Sequence, residues 1–167
     1  GRLMLFNREH ATYLSNAYDN SLIVTDRLLA SIIDSLDDLG ADVESWMYYS
    51  SDHGEGLFDG CGAAGHGHLA FETQSVAAMF WASPGYRATN EQLVRQLARN
   101  AETPLSIGMT FETLLDLGDV SISRGRQNMS FARPGIAPSP TAILAEARRD
   151  DCVAADGATG ADPAAGP

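Results

Sequence analysis

Apolar positions recur at near-helical spacing through Leu14, Ala17, Leu22, Thr25, Leu29, Ile32, Ile33 and Leu36, which predicts a helix over residues 10–39 with Gly40 as its stop. Asp19-Asn20 marks a break or cap inside it. The pattern then changes. Val43, Trp46, Met47, Tyr48 and Tyr49 form an aromatic, apolar run that reads as a buried strand over 43–51. A second strand follows over Ser75–Ala82, and Ser83-Pro84-Gly85 ends it with a turn. Leu93, Val94 and Leu97 share one face of a helix over 90–100, and Thr103-Pro104 opens a further segment through Leu117. Helix, strand, loop, strand, helix is an α/β order. Two or three strands are too few for a complete doubly wound domain, and an open sheet edge invites pairing with another chain.

Between the two strands lies the chemistry. The first strand runs into Ser50-Ser51-Asp52-His53-Gly54-Glu55, at the carboxyl end where open α/β sheets collect ligands. Neighbours on a strand point to opposite faces, so Asp52 and His53 can share one metal only if the strand has ended, and Gly54 supplies that freedom. A carboxylate and a neutral imidazole both suit zinc at roughly 2.0–2.2 Å, and a catalytic zinc site takes three protein ligands and keeps one position open. Glu55 is a further ligand or an acceptor that orients His53. The alternative is that Asp52 caps the next turn and His53 is a polar strand end. The glycine-rich stretch 56–68 forms neither helix nor strand, because glycine gives up most freedom on ordering; as a loop it brings His66 and His68 back toward the strand end. Three of the four histidines therefore fall between positions 53 and 68, while His10 stands apart as a solvated side chain.

Composition narrows the function classes. The length suffices for one domain with a core, and the net charge of −11, with no lysine, argues against a nucleic-acid partner and against broad adhesion to an anionic membrane surface. An anionic substrate then depends on a local cation. No apolar run is long enough to cross a bilayer and no signal peptide opens the chain. Cys61 and Cys152 read as free or incidental thiols. From Phe131 onward Pro, Ala, Gly and Asp dominate, so the expected organisation is a catalytic part over 1–130 and a low-complexity, disordered tail over 131–167.

Tyr18-Asp19-Asn20-Ser21-Leu22, Thr25-Asp26 and Leu28-Leu29, followed by the SDHGE strand end, the His66-Gly67 loop and an apolar strand with Trp81, resemble the C-terminal half of phosphoethanolamine transferases and sulfatase-like enzymes of the alkaline phosphatase superfamily, over roughly residues 13–120. For Thr25 and Asp26 ordinary helix packing and a solvated carboxylate are the preferred roles. The resemblance implies a partial alkaline-phosphatase-like (sulfatase) α/β sandwich, C-terminal portion only, with Asp52 and His53 as Zn2+ ligands and Glu55 beside them. It implies His66, with His68 as second candidate, as the contact to the transferred phosphate.

It further implies an enzyme of the inner membrane whose catalytic domain faces the periplasm and which moves phosphoethanolamine from a phospholipid donor to lipid A or another envelope glycan. The nucleophilic threonine and another acidic ligand would lie on earlier strands, in an N-terminal half that completes the sheet and carries the membrane segment. Phe71-Glu72-Thr73 and Phe111-Glu112-Thr113 resemble a nucleophile motif but follow the metal motif, in the wrong order, and neither is assigned. A chain beginning at Gly1 is expected to be a fragment, inactive alone. The competing expectations are a sulfatase or phosphodiesterase, in which water takes the group, and a non-catalytic metal-binding remnant.

Overall fold

In the computed structural model, which describes residues 7–59, 62–66, 70–103, 105–123 and 129–136, a 3-10 turn over Arg8–His10 leads into helix α1, Ala11–Asp37. The helix runs unbroken through Asp19-Asn20, contrary to the expected break. Its hydroxyls turn inward on the backbone: Ser21 Oγ donates to Tyr18 O (2.7 Å), Thr25 Oγ1 to Ser21 O (3.1 Å) and Ser35 Oγ to Ser31 O (2.8 Å). Gly40, at φ +93°, ends it in a left-handed conformation that residues with a Cβ rarely adopt, and its N–H reaches Asp37 O (3.1 Å). None of the residues of α1 is buried.

Strand β1 is Trp46–Ser50. The expected strand over 43–51 is thus trimmed at both ends, and it is half-buried where a buried one was expected, because it has one strand partner among the described residues. Two residues, Gly56–Leu57 (β2), pair antiparallel with Ala64–Gly65 (β3), so the glycine-rich stretch is not loop throughout. At its turn Phe58 takes φ 67° and its N–H donates to Ala63 O (3.0 Å). A single helical turn α2, Phe71–Gln74, precedes β4, Ala78–Ala82. Strands β1 and β4 run antiparallel, with Trp46 opposite Ala82 and Ser50 opposite Ala78. The end of β1 therefore lies beside the start of β4, and everything between them is one excursion from the ladder's open end.

Ser83-Pro84-Gly85, expected to be a turn, opens helix α3 (Pro84–Thr89) instead. Ser83 Oγ accepts from Tyr86 N (3.3 Å), and proline at the first helical position loses nothing by lacking an N–H. The same hydroxyl donates to Val43 O (3.1 Å) and accepts from Ser45 N (3.1 Å), tying the helix start to the approach of β1. Helix α4 is Glu91–Asn100; a 3-10 turn over Ile107–Met109 leads into α5, Thr110–Leu117.

The core collects Ala82, Tyr86, Met109 and Leu117. Trp46 and Phe80 place their rings 6.5 and 6.2 Å from that of Tyr86, whose hydroxyl donates to Leu117 O (2.6 Å). Burial pushes the Tyr86 phenol up from its ordinary value, and Glu44 and Asp119 add to the effect.

The chain is anchored beyond position 130. Phe131 N donates to Thr113 Oγ1 (2.9 Å), Asn100 Nδ2 donates to Phe131 O (2.7 Å) and Arg133 O (3.0 Å), and Ser130 is 1% exposed. The first residues of the expected tail, 131–133, are therefore held against α4 and α5. Their apolar Phe131 and Ala132 and the Arg133 side chain have partners that composition alone does not reveal. Residues 137–167, with the expected tail and Cys152, lie outside the described residues, as do Cys61 and His68.

Candidate metal centre

Ser51 is the last residue tied to the sheet, through its N–H to Ala77 O (3.2 Å). Its hydroxyl then donates to His53 O (2.7 Å), and Asp52 Oδ1 accepts from His53 N (3.0 Å), so the backbone turns at the position where the strand ends. The turn brings Asp52 Oδ2 to 3.7 Å from His53 Nε2. Two ligands of one tetrahedral ion at 2.0–2.2 Å stand roughly 3.3–3.6 Å apart, so this pair sits close to shared-ligand separation.

Gly54 is needed here for space, not for the conformational freedom expected of it: it is absent from the positive-φ residues. A Cβ at this position would lie 1.9 Å from Glu72 O and 2.8 Å from Ser75 O. Its N–H donates to Thr73 O (3.0 Å), so α2 presses its carbonyl end against the motif. Gly62, at φ +69°, has the Arg8 guanidinium on its open side, where a Cβ would stand 2.8 Å from an Arg8 nitrogen.

His53, Glu55 and His66 converge, with one ligand atom from each lying within 4.8 Å of the others. The two imidazoles stack at 4.1 Å between centroids. His53 Nδ1 faces Gly54 O at 2.9 Å. A carbonyl only accepts, so this nitrogen carries the proton and Nε2 keeps its lone pair. His66 Nδ1 faces Glu55 Oε2 at 3.0 Å, and the same logic leaves its Nε2 free. A half-buried carboxylate, two imidazoles whose tautomers leave a donor nitrogen, and an adjacent Asp52 make a donor set that fits a divalent cation such as zinc.

Glu55 was expected either to bind metal or to orient His53. Its carboxylate pairs with His66 and stays among the three donors of the cluster, while the neighbouring backbone carbonyl orients His53. Asp52 stands beside His53 but outside the three-residue cluster, its side chain 87% exposed. His10 is exposed. The hydroxyl of Thr113 is committed to Met109 O (2.8 Å) and Phe131 N, a structural role. Neither the Glu55–His66 pairing nor the approach of Arg8 to Gly62 is signalled by spacing, since both depend on how the excursion folds back.

Residues 6–120 match the sulfatase family. Among curated proteins, the phosphatidylethanolamine transferase Mcr-2 of Escherichia coli is 37% identical over 128 residues, covering 74% of this chain and 22% of the relative. Mcr-1 of the same organism is 36% identical over 129 residues, covering 75% and 22%. The chain thus spans about a fifth of the length of these relatives. Among solved structures, the C-terminal periplasmic domain of the phosphoethanolamine transferase EptC from Campylobacter jejuni superposes with a TM-score of 0.64 at 29% identity, covering 78% of this chain and 41% of that one. The soluble domain of lipooligosaccharide phosphoethanolamine transferase A from Neisseria meningitidis gives 0.64 at 27% identity, over 72% and 37%. The α/β architecture is therefore that of an enzyme family, and this chain is a member of the sulfatase family that resembles part of the phosphoethanolamine transferase domain.

Proposed function

We propose that the segment 52–66 is the metal- and phosphate-binding end of a zinc-dependent phosphoethanolamine transferase, acting with a phosphatidylethanolamine donor and a lipid A or other envelope glycan acceptor. The observation that carries this is the convergence of His53, Glu55 and His66 within 4.8 Å, beside Asp52, in a chain of this family. Asp52 and His53 hold the ion, and Glu55 fixes the His66 ring so that Nε2 is left to meet the phosphoryl oxygens, with His68 as second candidate for that contact. When bound, zinc neutralises charge on the phosphoryl oxygens and gives a hydroxyl nucleophile alkoxide character. His66 orients the group and stabilises its anionic oxygens.

The proposed nucleophile is a threonine on a part of the domain that has no counterpart in this chain, so the chain is inactive alone and requires the complementary half to complete its sheet. The likeness to the periplasmic domain of Campylobacter jejuni EptC supports a periplasm-facing site. No helix among the described residues is long and apolar enough to cross a membrane, and the membrane attachment is assigned to that other part.

A second arrangement is favoured by the clustering itself, with His66 as a metal ligand. Zinc content of the full chain after dialysis, with Asp52→Ala, His53→Ala and His66→Ala compared, tests both. Loss in the first two variants and retention in the third supports the proposed roles; loss in all three makes His66 a ligand. Full zinc in the Asp52→Ala plus His53→Ala double variant refutes the site.

A further inference from the structure

One stripe of helix α4 stays in water, and the last described residues of the chain run beside it. Gln92, Leu93, Arg95 and Arg99, together with Ala132 and Pro134, line a groove of about 500 Å³. Between Gln92 and Arg99 it follows the helix for about 10.5 Å. Both arginines are exposed. Arg95 pairs with Glu91 one turn back, but these side chains are 66% and 62% exposed, and an ion pair so open to water holds its partners weakly. Arg99 has no ion-pair partner among the described residues. In a chain with 11 basic and 22 acidic side chains, this is a cationic stripe with an apolar end at Leu93.

The position of the chain end indicates what fills it. Ala132 and Pro134 are walls of the groove and Ile136 is the last described residue before 137–167, so the remaining chain sets out from the groove's own rim. That remainder carries Glu146, Asp150, Asp151, Asp156 and Asp162 against Arg148 and Arg149. At about 100° per residue, Ile143, Leu144, Ala147, Asp150 and Asp151 share an arc of about 120°, and both arginines fall outside it. The sequence thus offers one face with an apolar end and an acidic end, about 12 Å from residue 143 to residue 151. The groove offers the complement at matching length. We propose that residues 143–151 fold back into the α4 groove of the same chain, Ile143 and Leu144 lying on Leu93, and Asp150 and Asp151 pairing with Arg95 and Arg99. Reach is no obstacle, since the chain from Ile136 to Asp150 extends to roughly 46–50 Å. The tether also keeps the segment at high effective concentration, so pairs that are weak between separate molecules suffice within one. A second copy is the less favourable occupant, because it brings another −11. Docking requires neither zinc nor substrate.

The test places a nitroxide label on Cys152, next to Asp151, in the full chain with Cys61→Ser, and follows paramagnetic loss of amide signal intensity by NMR. In the otherwise unaltered chain the loss is expected to centre on residues 92–99 and to weaken at about 1 M salt, where the Debye length is about 3 Å. Arg95→Glu plus Arg99→Glu is expected to restore those intensities, as is Asp150→Arg plus Asp151→Arg. Combining all four substitutions is expected to bring the loss back, an outcome that a misfolded α4 could not give. Intensity loss centred elsewhere, loss unchanged by either charge reversal, or no return in the combined variant overturns the proposal. Loss that passes from a labelled chain to an isotope-enriched, unlabelled one in a mixture assigns the groove to a second copy and overturns it as well.

Discussion

Glu55 Oε2 lies 3.0 Å from His66 Nδ1, and this contact closes the folded-back segment that carries the candidate metal centre. The carboxylate side chain is 26% exposed and the imidazole 59%, so Glu55 is the more sheltered partner and sets the ring's orientation. Removing the carboxylate frees the ring to rotate and to change tautomer. In the second arrangement, with His66 as a metal ligand, Glu55→Ala is expected to weaken zinc affinity by about 10–100-fold, with Glu55→Gln milder because its amide oxygen still accepts. Titration against a chromophoric chelator measures this, and an unchanged affinity in Glu55→Ala favours the first arrangement, in which Asp52 and His53 hold the ion and Glu55 acts only on His66.

Gly54→Ala is expected to damage the site without touching a metal-binding atom. The new methyl falls on Glu72 O, and backbone cannot step aside as a flexible side chain can. The cost is about 1–3 kcal/mol, and α2 must separate from the SDHGE turn. Thermal unfolding and zinc content, taken together, check this: both should fall, and a variant with a wild-type Tm and full zinc contradicts the close approach.

Ser83→Ala removes the cap of α3 and leaves Ser45 N and Val43 O without the hydroxyl they share. A loss of about 1–2 kcal/mol is expected. Urea unfolding should show a lower midpoint at unchanged slope. A slope change would instead indicate that the denatured or native ensemble itself had altered.

Acid should release the last described segment from α5. Arg133 Nε and one terminal nitrogen donate to the two oxygens of Asp116, at 2.8 and 2.6 Å. These hydrogen bonds hold the Asp116 carboxyl below the usual carboxylate range; desolvation opposes them, and the Ser130 hydroxyl and the Arg133 charge reinforce them. The folded-state value is the lower one, so the stabilisation is fully present above the unfolded value of about 3.9 and is lost as pH falls through the folded value. Asp116→Asn is expected to cost about 1 kcal/mol at neutral pH, with the gap to wild type narrowing below about pH 3.9. Urea midpoints across that window test it; a gap constant down to about pH 2 excludes the carboxylate as its source.

Periodicity made α1, α4 and the two long strands legible, because each carries its signal within itself. The hydrophobic spacing of Leu93, Val94 and Leu97 requires no knowledge of the rest of the molecule. The start of α3 was hidden because Ser83-Pro84-Gly85 is equally a turn and a capped helix start, and only the second use satisfies Tyr86 N. Phe131 and Arg133 were assigned to a tail by composition, yet Asn100, Thr113 and Asp116 hold them from distant positions. Likewise Asp52, His53 and His66 stood out by residue type, while the partner of Glu55 depended on an eleven-residue fold-back that spacing does not encode.

The antiparallel match of Ser50 with Ala78 has a kinetic corollary. Residues 51–77 form a loop closed at its base by the β1–β4 ladder, and loop-closure entropy grows only with the logarithm of length, so zipping that ladder prepays the search that would otherwise gather the centre's side chains. A cation bridging the far end would then act as a second rivet, slowing the unzipping of strands it never touches.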